Sequence, residues 1–258
     1  MTDTLSKAAD EFFGIKADPD DICKLQSYIK KTYKIENPSI IKKVFSSGEA
    51  ADLLTVNETY FFREPAHFTL LGSLLPSYEK TGLRICSAAS SCGCEAYSIA
   101  MFIEAYKKGL EKSLPYHIDA FDINPKMIES ACQGIFTERS LREDGNCFRY
   151  MAEPFLKKLP CQPGEPIRYQ TDLSLRKKIN FFVHNLMNEL PHVSYDIIFF
   201  RNAFIYFTPP NREKVISNLV SALNAGGILI LGVSETAGVL HPGLEGICQN
   251  DVFYFKRK

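Results

Sequence analysis

The chain has 258 residues, of which 45% are hydrophobic, so it can bury the core of one large domain or of one domain with a small companion. Lys and Arg number 30 and Asp and Glu also number 30, which argues against a global attraction to nucleic acid or membranes. No run of about 18 uncharged apolar residues occurs, and the first five residues lack a secretion signal, so we expect a cytoplasmic protein without a membrane span and without a nucleic-acid partner.

Residues 1–70 are predicted to form a small helical domain and its linker to the rest of the chain. Apolar residues recur at spacings of three and four over residues 22–33 and predict one helix. The segment from Asn37 to Gly48 has the start and stop signals of a second, shorter helix.

Lysines are concentrated in this helical start, which is locally basic although the whole chain is neutral. They lie mostly off the apolar faces and allow two interpretations: an ordinary solvated surface, or a docking surface for an acidic partner. The lysines concerned are Lys24, Lys30, Lys31, Lys34, Lys42 and Lys43.

From Leu83 onward, predicted strands alternate with predicted helices. This pattern with short turns predicts an α/β fold with a doubly wound, mostly parallel sheet over residues 71–258. A polar segment with several prolines, about residues 144–176, interrupts the alternation and predicts an insertion or small subdomain. The predicted strands are 83–87, 116–121, 179–183, 195–200, 228–233 and 252–255, and the predicted helices are 93–108, 125–133 and 211–223.

Four segments follow predicted strands, and the carboxyl ends of parallel strands meet at the sheet edge where ligands bind. The small residues of the first segment allow a ligand to approach the backbone and the amides of the next helix. This turn lacks the Gly-x-Gly-x-x-Gly pattern, which argues against a dehydrogenase. The four segments are the turn 87–93 with Ala89, Asp122, Asn185-Leu186 and Arg201-Asn202.

The side chains at these strand ends have more than one interpretation. Asp122 can accept both ribose hydroxyls of a nucleoside or cap the following helix, and its agreement with the first turn favours the ribose. Asn185 can contact an adenine edge or hold a turn. Arg201 and Asn202 interrupt an apolar run, where an unpaired guanidinium or amide is costly, so they are more typical of a site than of a core.

The cysteines and histidines predict no metal site. Eight cysteines occur, and in the cytosol they stay reduced. Cys92-Gly93-Cys94 suggests a metal, but no second close pair supports it, so small residues in a tight turn are the favoured interpretation. The five histidines form no triad and no metal-ligand spacing.

These segments together carry a resemblance to a known family. The chain resembles the CheR-type chemotaxis receptor methyltransferases, which transfer a methyl group from S-adenosylmethionine to receptor glutamates. The most specific elements are Thr-x-Phe-Phe-Arg at residues 59–63 and Arg-Asn-x-x-Ile-Tyr-Phe at residues 201–207. Further matches follow the family's order at residues 57–64, 87–100, 120–124, 185–186 and 223–235.

The resemblance implies a class I, Rossmann-like methyltransferase with S-adenosylmethionine as its cofactor. It implies that Asp122 holds the ribose, that Glu95 contacts the methionine end and that Asn185 and Leu186 flank the adenine. It further implies that the basic N-terminal helices dock on an acidic protein substrate, a chemoreceptor cytoplasmic region. The implied cofactor-binding residues are Asn57, Thr59, Arg63, Ala89, Glu95, Asp122, Asn185, Leu186, Arg201 and Asn202.

The chain departs from the family at a few positions. Cys94-Glu95-Ala96 stands where two acidic residues and a proline are usual after the glycine. Asn124 stands where Asp is usual, and Phe200 where Cys is usual. The segment 144–176 corresponds to the family's small β-subdomain.

Methyl transfer to a glutamate needs alignment more than it needs a base. The carboxylate, with a reference pKa of about 4.3, is already ionised at neutral pH. Arg63 and Tyr206 are therefore predicted as catalytic residues that orient cofactor and substrate near the methyl group. The alternative for residues 61–63 is a helix start with a packing pair of phenylalanines.

Two other functions compete with this prediction. One is a methyltransferase of another substrate, a small molecule or nucleic acid; the Thr-Pro-Pro-Asn segment at 208–211 lacks the aromatic residue of amino-methylating enzymes. The other is a non-catalytic module that binds the cofactor or a partner. A dehydrogenase is less consistent with the first turn.

Overall fold

A seven-stranded sheet forms the centre of the protein in a computed structural model, which describes residues 2–34, 37–55, 57–79, 81–109, 114–142, 148–191 and 194–258. The strand at Tyr195–Phe200, in the middle of this sheet, is short and apolar, as predicted. In chain order the strands of this sheet are β1 (Leu83–Ala88), β2 (Tyr116–Asp122), β6 (Ile179–Val183), β7 (Tyr195–Phe200), β8 (Leu223–Leu231), β9 (Leu244–Gln249) and β10 (Val252–Arg257). Three further strands, β3 (Ile135–Thr137), β4 (Leu156–Lys158) and β5 (Arg168–Thr171), form a separate small sheet.

The strand order of the large sheet is β6-β2-β1-β7-β8-β10-β9. Strands β6, β2, β1, β7 and β8 run parallel, and β10 pairs antiparallel with both β8 and β9. The chain builds one half outward from β1 through β2 and β6, and the other half outward from β7. The prediction of a doubly wound, mostly parallel sheet is confirmed, and the change of direction between β1 and β7 creates a crevice at their carboxyl ends.

Helices cover both faces of this sheet. Side chains alternate along β7, so that Ile197 and Phe199 belong to one apolar cluster and Ile198 and Phe200 to the other. The longer helices are α1 (Thr2–Phe13), α2 (Pro19–Tyr33), α3 (Pro38–Ser46), α4 (Glu49–Leu54), α5 (Pro65–Leu74), α6 (Cys94–Lys107), α7 (Pro125–Gln133) and α10 (Pro209–Ala222). Short helices are α8 (Arg149–Ala152) and α9 (Leu173–Arg176), with 3-10 turns at Leu75–Tyr78, Glu138–Ser140, Glu153–Phe155 and Phe204–Tyr206.

The N-terminal helices α1 to α4 pack together and join the cluster that contains Phe200. Helix α5 crosses residue 70 and packs with α6 on the opposite face, so by its contacts it belongs to the body. The basic character of this region is confined to the lysines of residues 24–43. Over residues 1–70, eleven Asp and Glu outnumber nine Lys and Arg, so the helical start as a whole is weakly acidic.

The small sheet overlaps the segment predicted as an insertion, and its first strand lies before that segment. Its order is β3-β5-β4, with both pairings antiparallel, in the described residues. Strand β3 starts at Ile135, directly after α7, whereas the insertion was predicted from residue 144. Three-residue strands leave too short an alternation to identify in a sequence. Residues 143–147 lie outside the described residues.

Candidate functional site

One cleft at the carboxyl ends of β1, β2 and β7 is lined by every predicted site residue. The linker before α5, the β1–α6 turn and the segments after β2, β6 and β7 each contribute side chains or backbone. The sequence placed these segments at one sheet edge, and the fold brings them together there. The residues concerned are Asn57, Thr59, Arg63, Ala89, Glu95, Asp122, Asn185, Leu186, Arg201, Asn202 and Tyr206.

The turn between β1 and α6 presents its backbone closely to the cleft. Ala89, Ser91 and Gly93 have φ values of 58°, 48° and 88°, so the chain folds back tightly within a few residues. A side chain at Gly93 would be strained, because the backbone φ is 88° and a Cβ there would lie 3.0 Å from Ala131 and from the Phe181 ring. The Ser90 hydroxyl is buried without a hydrogen-bond partner among the described residues, and it suits a polar ligand in the cleft.

Asp122 ends β2 and fixes this turn through its carboxylate. One oxygen accepts a hydrogen bond from Ser91 N at 2.8 Å, and the other accepts one from Asn124 N at 2.9 Å. Burial raises the pKa of Asp122, while these N–H donors favour its ionised form. The cap of α7 is Asn124, whose side chain accepts from Lys126 N at 3.0 Å, so the capping alternative for Asp122 is wrong.

Arg201 has the partners that its burial requires. Its Nη1 lies 3.0 Å from a Glu95 oxygen, and its Nη2 lies 3.4 Å from a Glu64 oxygen and donates to Arg63 O at 2.5 Å. Glu95 also accepts a hydrogen bond from Ser87 at 2.7 Å. The two carboxylates offset the cost of burying the guanidinium. Its Nε has no partner among the described residues and remains available to a ligand oxygen.

Glu64 is a site-building residue to which the sequence analysis assigned no role. It accepts hydrogen bonds from Asn202 Nδ2 at 2.9 Å and Val233 N at 3.3 Å, and it lies 3.2 Å from His67 Nδ1. Burial opposes its ionisation, but the adjacent His67 ring, the Arg201 charge and the Asn202 amide outweigh it and hold the pKa of Glu64 well below its usual range. Its position beside the Thr-x-Phe-Phe-Arg element was the available signal.

Glu235 plays a matching structural role behind Asn202. Asn202 has φ 60°, and its N–H donates to Glu235 at 2.6 Å. The same carboxylate accepts from Gly232 N at 3.0 Å and Ile205 N at 3.2 Å, and burial raises its pKa. A Cβ at Gly232 would lie 2.6 Å from Glu235 Oε2, so a larger residue there would displace the Glu235 carboxylate. Glu235 thereby fixes the turn that carries Arg201 and Asn202.

Asn185 and Leu186 line the cleft, but the Asn185 side chain is already occupied. Its Nδ2 donates to Phe12 O at 2.5 Å, and its Oδ1 accepts from Met187 N at 3.0 Å. The alternative in which Asn185 holds a turn is therefore the one that these contacts favour. Leu186 is buried and presents an apolar surface.

The packing interpretation of residues 61–63 is confirmed, and Arg63 lies in the cleft where its predicted role would require it. Phe61 and Phe62 are fully buried, with ring centroids 4.8 Å from Phe136 and 5.1 Å from Phe68, respectively. Helix α5 begins just after them, while Arg63 lines the cleft, where its Nη1 donates to the Glu58 carbonyl at 3.0 Å. The phenylalanine pair thus anchors the segment that carries Arg63.

Tyr206 lines the cleft from the 3-10 turn after β7. Burial raises its pKa, although the Arg63 charge opposes this, so the phenol is neutral at neutral pH. Its carbonyl accepts from Lys16 N at 2.9 Å, which ties the N-terminal helices to the same turn.

The N-terminal helices complete the cleft with apolar side chains, which the sequence analysis did not predict. Phe13, Ile15 and Leu54 line it opposite the sheet edge. A residue at a helix end that faces a ligand has the same sequence pattern as one that faces the core, so no local signal identified them.

No group of three or more His, Cys, Asp or Glu residues in the described part of the chain is placed to hold a metal ion. Within those same residues, no helix is long and apolar enough to cross a membrane.

Residues 57–253 match the family model described as CheR methyltransferase, SAM binding domain. The chain belongs to this family. A chemotaxis protein methyltransferase of Vibrio parahaemolyticus is 35% identical over 216 residues, which cover 81% of this chain and 75% of that protein. A chemotaxis protein methyltransferase of Listeria monocytogenes is 32% identical over 213 residues, with 81% and 76% covered. A probable biofilm formation methyltransferase of Pseudomonas aeruginosa is 32% identical over 225 residues, with 82% and 50% covered.

Among solved structures, the magnesium protoporphyrin IX methyltransferase of Synechocystis is similar with a TM-score of 0.42 and 14% identity, over 92% of this chain and 97% of that one. The strand order and the family membership confirm the predicted class I methyltransferase fold. The family membership and the similar chemotaxis protein methyltransferases also confirm the predicted chemotaxis-type methyltransferase activity with S-adenosylmethionine as cofactor. Neither competing function, another substrate or a non-catalytic module, is favoured.

Proposed function

We propose that this protein transfers a methyl group from S-adenosylmethionine to glutamate side chains of chemoreceptors and forms glutamate methyl esters. The observation that carries the proposal is the convergence of Asp122, the Glu95–Arg201 pair, Arg63 and Tyr206 on one cleft in a chain of the CheR family. We place the reaction in the cytoplasm, where the free thiols of the described cysteines stay reduced.

The residues that line the cleft suit S-adenosylmethionine. We assign Asp122 to the ribose hydroxyls, because its carboxylate is buried at the cleft wall. We assign Glu95, whose carboxylate lies 3.0 Å from Arg201 Nη1, to the amino group of the methionine end. Leu186 and the aliphatic part of Asn185 cover the adenine. The turn with Ala89 and the linker with Asn57 and Thr59 enclose the rest.

The reaction depends on alignment. When bound, the sulfonium cofactor supplies an activated methyl group and a good leaving group. Arg63 attracts the ionised glutamate carboxylate, and Tyr206, neutral at neutral pH, orients it by donating a hydrogen bond. Such positioning is worth roughly 7–11 kcal/mol in model reactions, so no general base is needed. His184 lines the cleft, but burial lowers its pKa, which suits a neutral wall.

Methyl-labelled cofactor tests this proposal directly. The protein is incubated with receptor-containing membranes, with soluble protein and with nucleic acid, and the label is then challenged with base. We expect base-labile label on a membrane receptor and its loss in the Arg63→Ala variant, while Arg168→Ala, an exposed change in the small subdomain, retains it. Label in nucleic acid, label that survives base, or an unlabelled receptor contradicts the proposal.

We further propose that the exposed lysines of α2 and α3 meet an acidic receptor surface. Lys31 and Lys42 are exposed, and α3 has a basic residue but no acidic one in its end turns. Salt screens the attraction between exposed charges. At physiological ionic strength the attraction is largely lost beyond a Debye length of about 8–10 Å. Because residues 1–70 carry a small net negative charge, the proposed docking surface includes only the lysine-bearing faces of α2 and α3.

Charge reversal separates docking from catalysis. Lys31→Glu with Lys42→Glu should raise the KM for receptor and flatten its salt dependence, with the Kd for cofactor unchanged. Lys177→Glu is the matched control, because this exposed lysine lies just before β6 at the opposite end of the sheet. Equal effects of the two changes on KM would exclude docking through α2 and α3.

A further inference from the structure

Two thiols lie in contact beside the cofactor cleft. Cys92 and Cys94 flank Gly93 at the start of α6, and their sulfur atoms are 3.9 Å apart. A disulfide needs a sulfur–sulfur distance of about 2.05 Å, so a shift of roughly 2 Å joins them. Gly93, with φ 88°, separates them and gives the turn the backbone freedom for that shift.

The two thiols differ in the way that a reactive pair requires. Cys92 is partly exposed, whereas Cys94 is fully buried beside the hydroxyls of Ser140 and Thr59. The hydrogen bond from Cys94 lowers the pKa of Cys92 against the effect of burial, and the N–H groups of both residues add to it. Burial raises the pKa of Cys94 well above its usual value. Cys92 is therefore the nucleophile and Cys94 the protonated partner.

We propose that Cys92 and Cys94 form a peroxide-reactive dithiol, and that its oxidation to a disulfide lowers the affinity of the cleft for S-adenosylmethionine. The Cys92 thiolate attacks one peroxide oxygen, the O–O bond breaks, and hydroxide leaves and takes up a proton to form water. The Cys94 sulfur then attacks the sulfenic acid sulfur and loses its proton. The S–S bond forms, the S–O bond breaks, and a second water leaves.

The link to the cofactor is the turn itself. Cys92 follows Ser91, whose N–H donates to Asp122 at 2.8 Å, and Gly93 N donates to Ser90 O at 2.9 Å. Both serines line the cleft, whereas neither Cys92 nor Cys94 does. Drawing the two sulfurs together pulls on this turn and on Asp122. In the reducing cytosol such a disulfide is transient, as a switch requires.

Mass spectrometry tests the oxidation in the unmodified protein. After treatment with hydrogen peroxide, the monomer is unfolded in urea, alkylated and digested with trypsin, which releases residues 85–107 with Cys86, Cys92 and Cys94 in one peptide. We expect this peptide to lose two hydrogen atoms and to carry one alkyl group, which fragmentation places on Cys86. Alkylation of all three cysteines, or a link to Cys86, overturns the proposal.

Calorimetry with S-adenosylhomocysteine tests the consequence. Peroxide should raise its Kd roughly tenfold, the equivalent of one charge-assisted hydrogen bond, and dithiothreitol should restore it. Cys92→Ser and Cys94→Ser should bind normally and resist peroxide, whereas Cys248→Ser, which removes an exposed thiol, should respond like the unmodified protein. An unchanged Kd in the protein shown to carry the disulfide overturns the switch, as does an equal peroxide response in Cys92→Ser.

Discussion

Arg201 shows how a single residue can be identified from sequence while its partners cannot. Its place in an apolar run predicted that it needed partners near a strand end. Those partners are Glu95, Glu64 and the carbonyl of Arg63, which is 138 positions away in the chain. No local sequence pattern predicts the roles of Glu64 and Glu235. Their carboxylates accept hydrogen bonds from backbone and side-chain donors that only the fold brings near.

Asp122→Asn should weaken cofactor binding without unfolding the protein. Hydrogen bonds to a charged group are worth about 1.5–3 kcal/mol, so the Kd for S-adenosylhomocysteine should rise about tenfold or more. The amide keeps only one acceptor oxygen for the Ser91 and Asn124 N–H groups. Because burial raises the pKa of Asp122, loss of its charge offsets part of that cost at neutral pH, so the variant should still fold. Calorimetry measures the Kd, with Asp251→Asn in an exposed turn as control. An unchanged Kd would contradict the ribose assignment.

Glu64→Gln should lower stability in a pH-dependent way. The pKa of Glu64 lies below its ordinary value of 4.5, so its charge stabilises the fold above that pH, and this contribution is lost as the pH falls. We expect a loss of roughly 1–3 kcal/mol in the free energy of unfolding at neutral pH. The loss is limited because Arg201 retains its ion pair with Glu95. At about pH 4 the loss should be smaller. Urea unfolding measures both, with exposed Glu245→Gln as control. A loss that does not change with pH would count against this account.

At the level of elements, prediction succeeded where a segment was long and periodic. The bounds of β6, β7 and α7 agree with the prediction, and α10 begins two residues earlier because proline suits the first helical turn. Strand β9 and the three-residue strands of the small sheet were missed, since short polar strands have little alternation. Strand β8 begins at Leu223, five residues early, through its pairing with Tyr195 across an irregularity.

A contact between α4 and the start of α7 uses the amide of Asn124. Asn124 Nδ2 donates to Asp52 at 3.3 Å, and Lys126 Nζ lies 2.6 Å from the same carboxylate. An Asp at position 124 would place two carboxylates together between the N-terminal helices and the body.

Asn124→Asp should therefore lower the free energy of unfolding by roughly 1–2 kcal/mol at neutral pH. The Asp side chain can still cap α7, so the loss reports the new repulsion. In an Asp52→Asn background the same change should cost less, and urea unfolding of the four proteins gives the coupling energy. Equal losses in the two backgrounds would mean that Asp52 is not the cause.

At the scale of the whole molecule, the cleft belongs to two parts of the chain. The N-terminal region supplies Phe13 and Ile15, and the segment that follows α1 is tied to the segment after β7. Lys16 N donates to Tyr206 O at 2.9 Å, and Thr208 N donates to Gly14 O at 3.0 Å. A ligand held between the two parts stabilises both and their junction.

Hydrogen exchange should detect this coupling. With saturating S-adenosylhomocysteine, exchange of the Lys16 and Thr208 amides should slow about tenfold or more, because opening the junction then requires release of the ligand. The amides of β5 in the small sheet serve as the internal control and should be unaffected. Protection at Ser91 without protection at Lys16 would show that the N-terminal helices do not close on the ligand.

The sequence by itself determined the fold class, the family, the cofactor and the edge of the sheet where the site lies. Each of these depends on local periodicity or on short motifs such as residues 59–63 and 201–207. Such local patterns can be recognised in the sequence without knowing which distant residues they contact. Only the tertiary structure decided that Asn185 holds α1, that Glu64 and Glu235 support Arg201 and Asn202, and that the Cys92 and Cys94 thiols touch. These facts depend on which side chains meet in space, and side chains far apart in the chain meet only once burial of the two apolar clusters has brought their elements together.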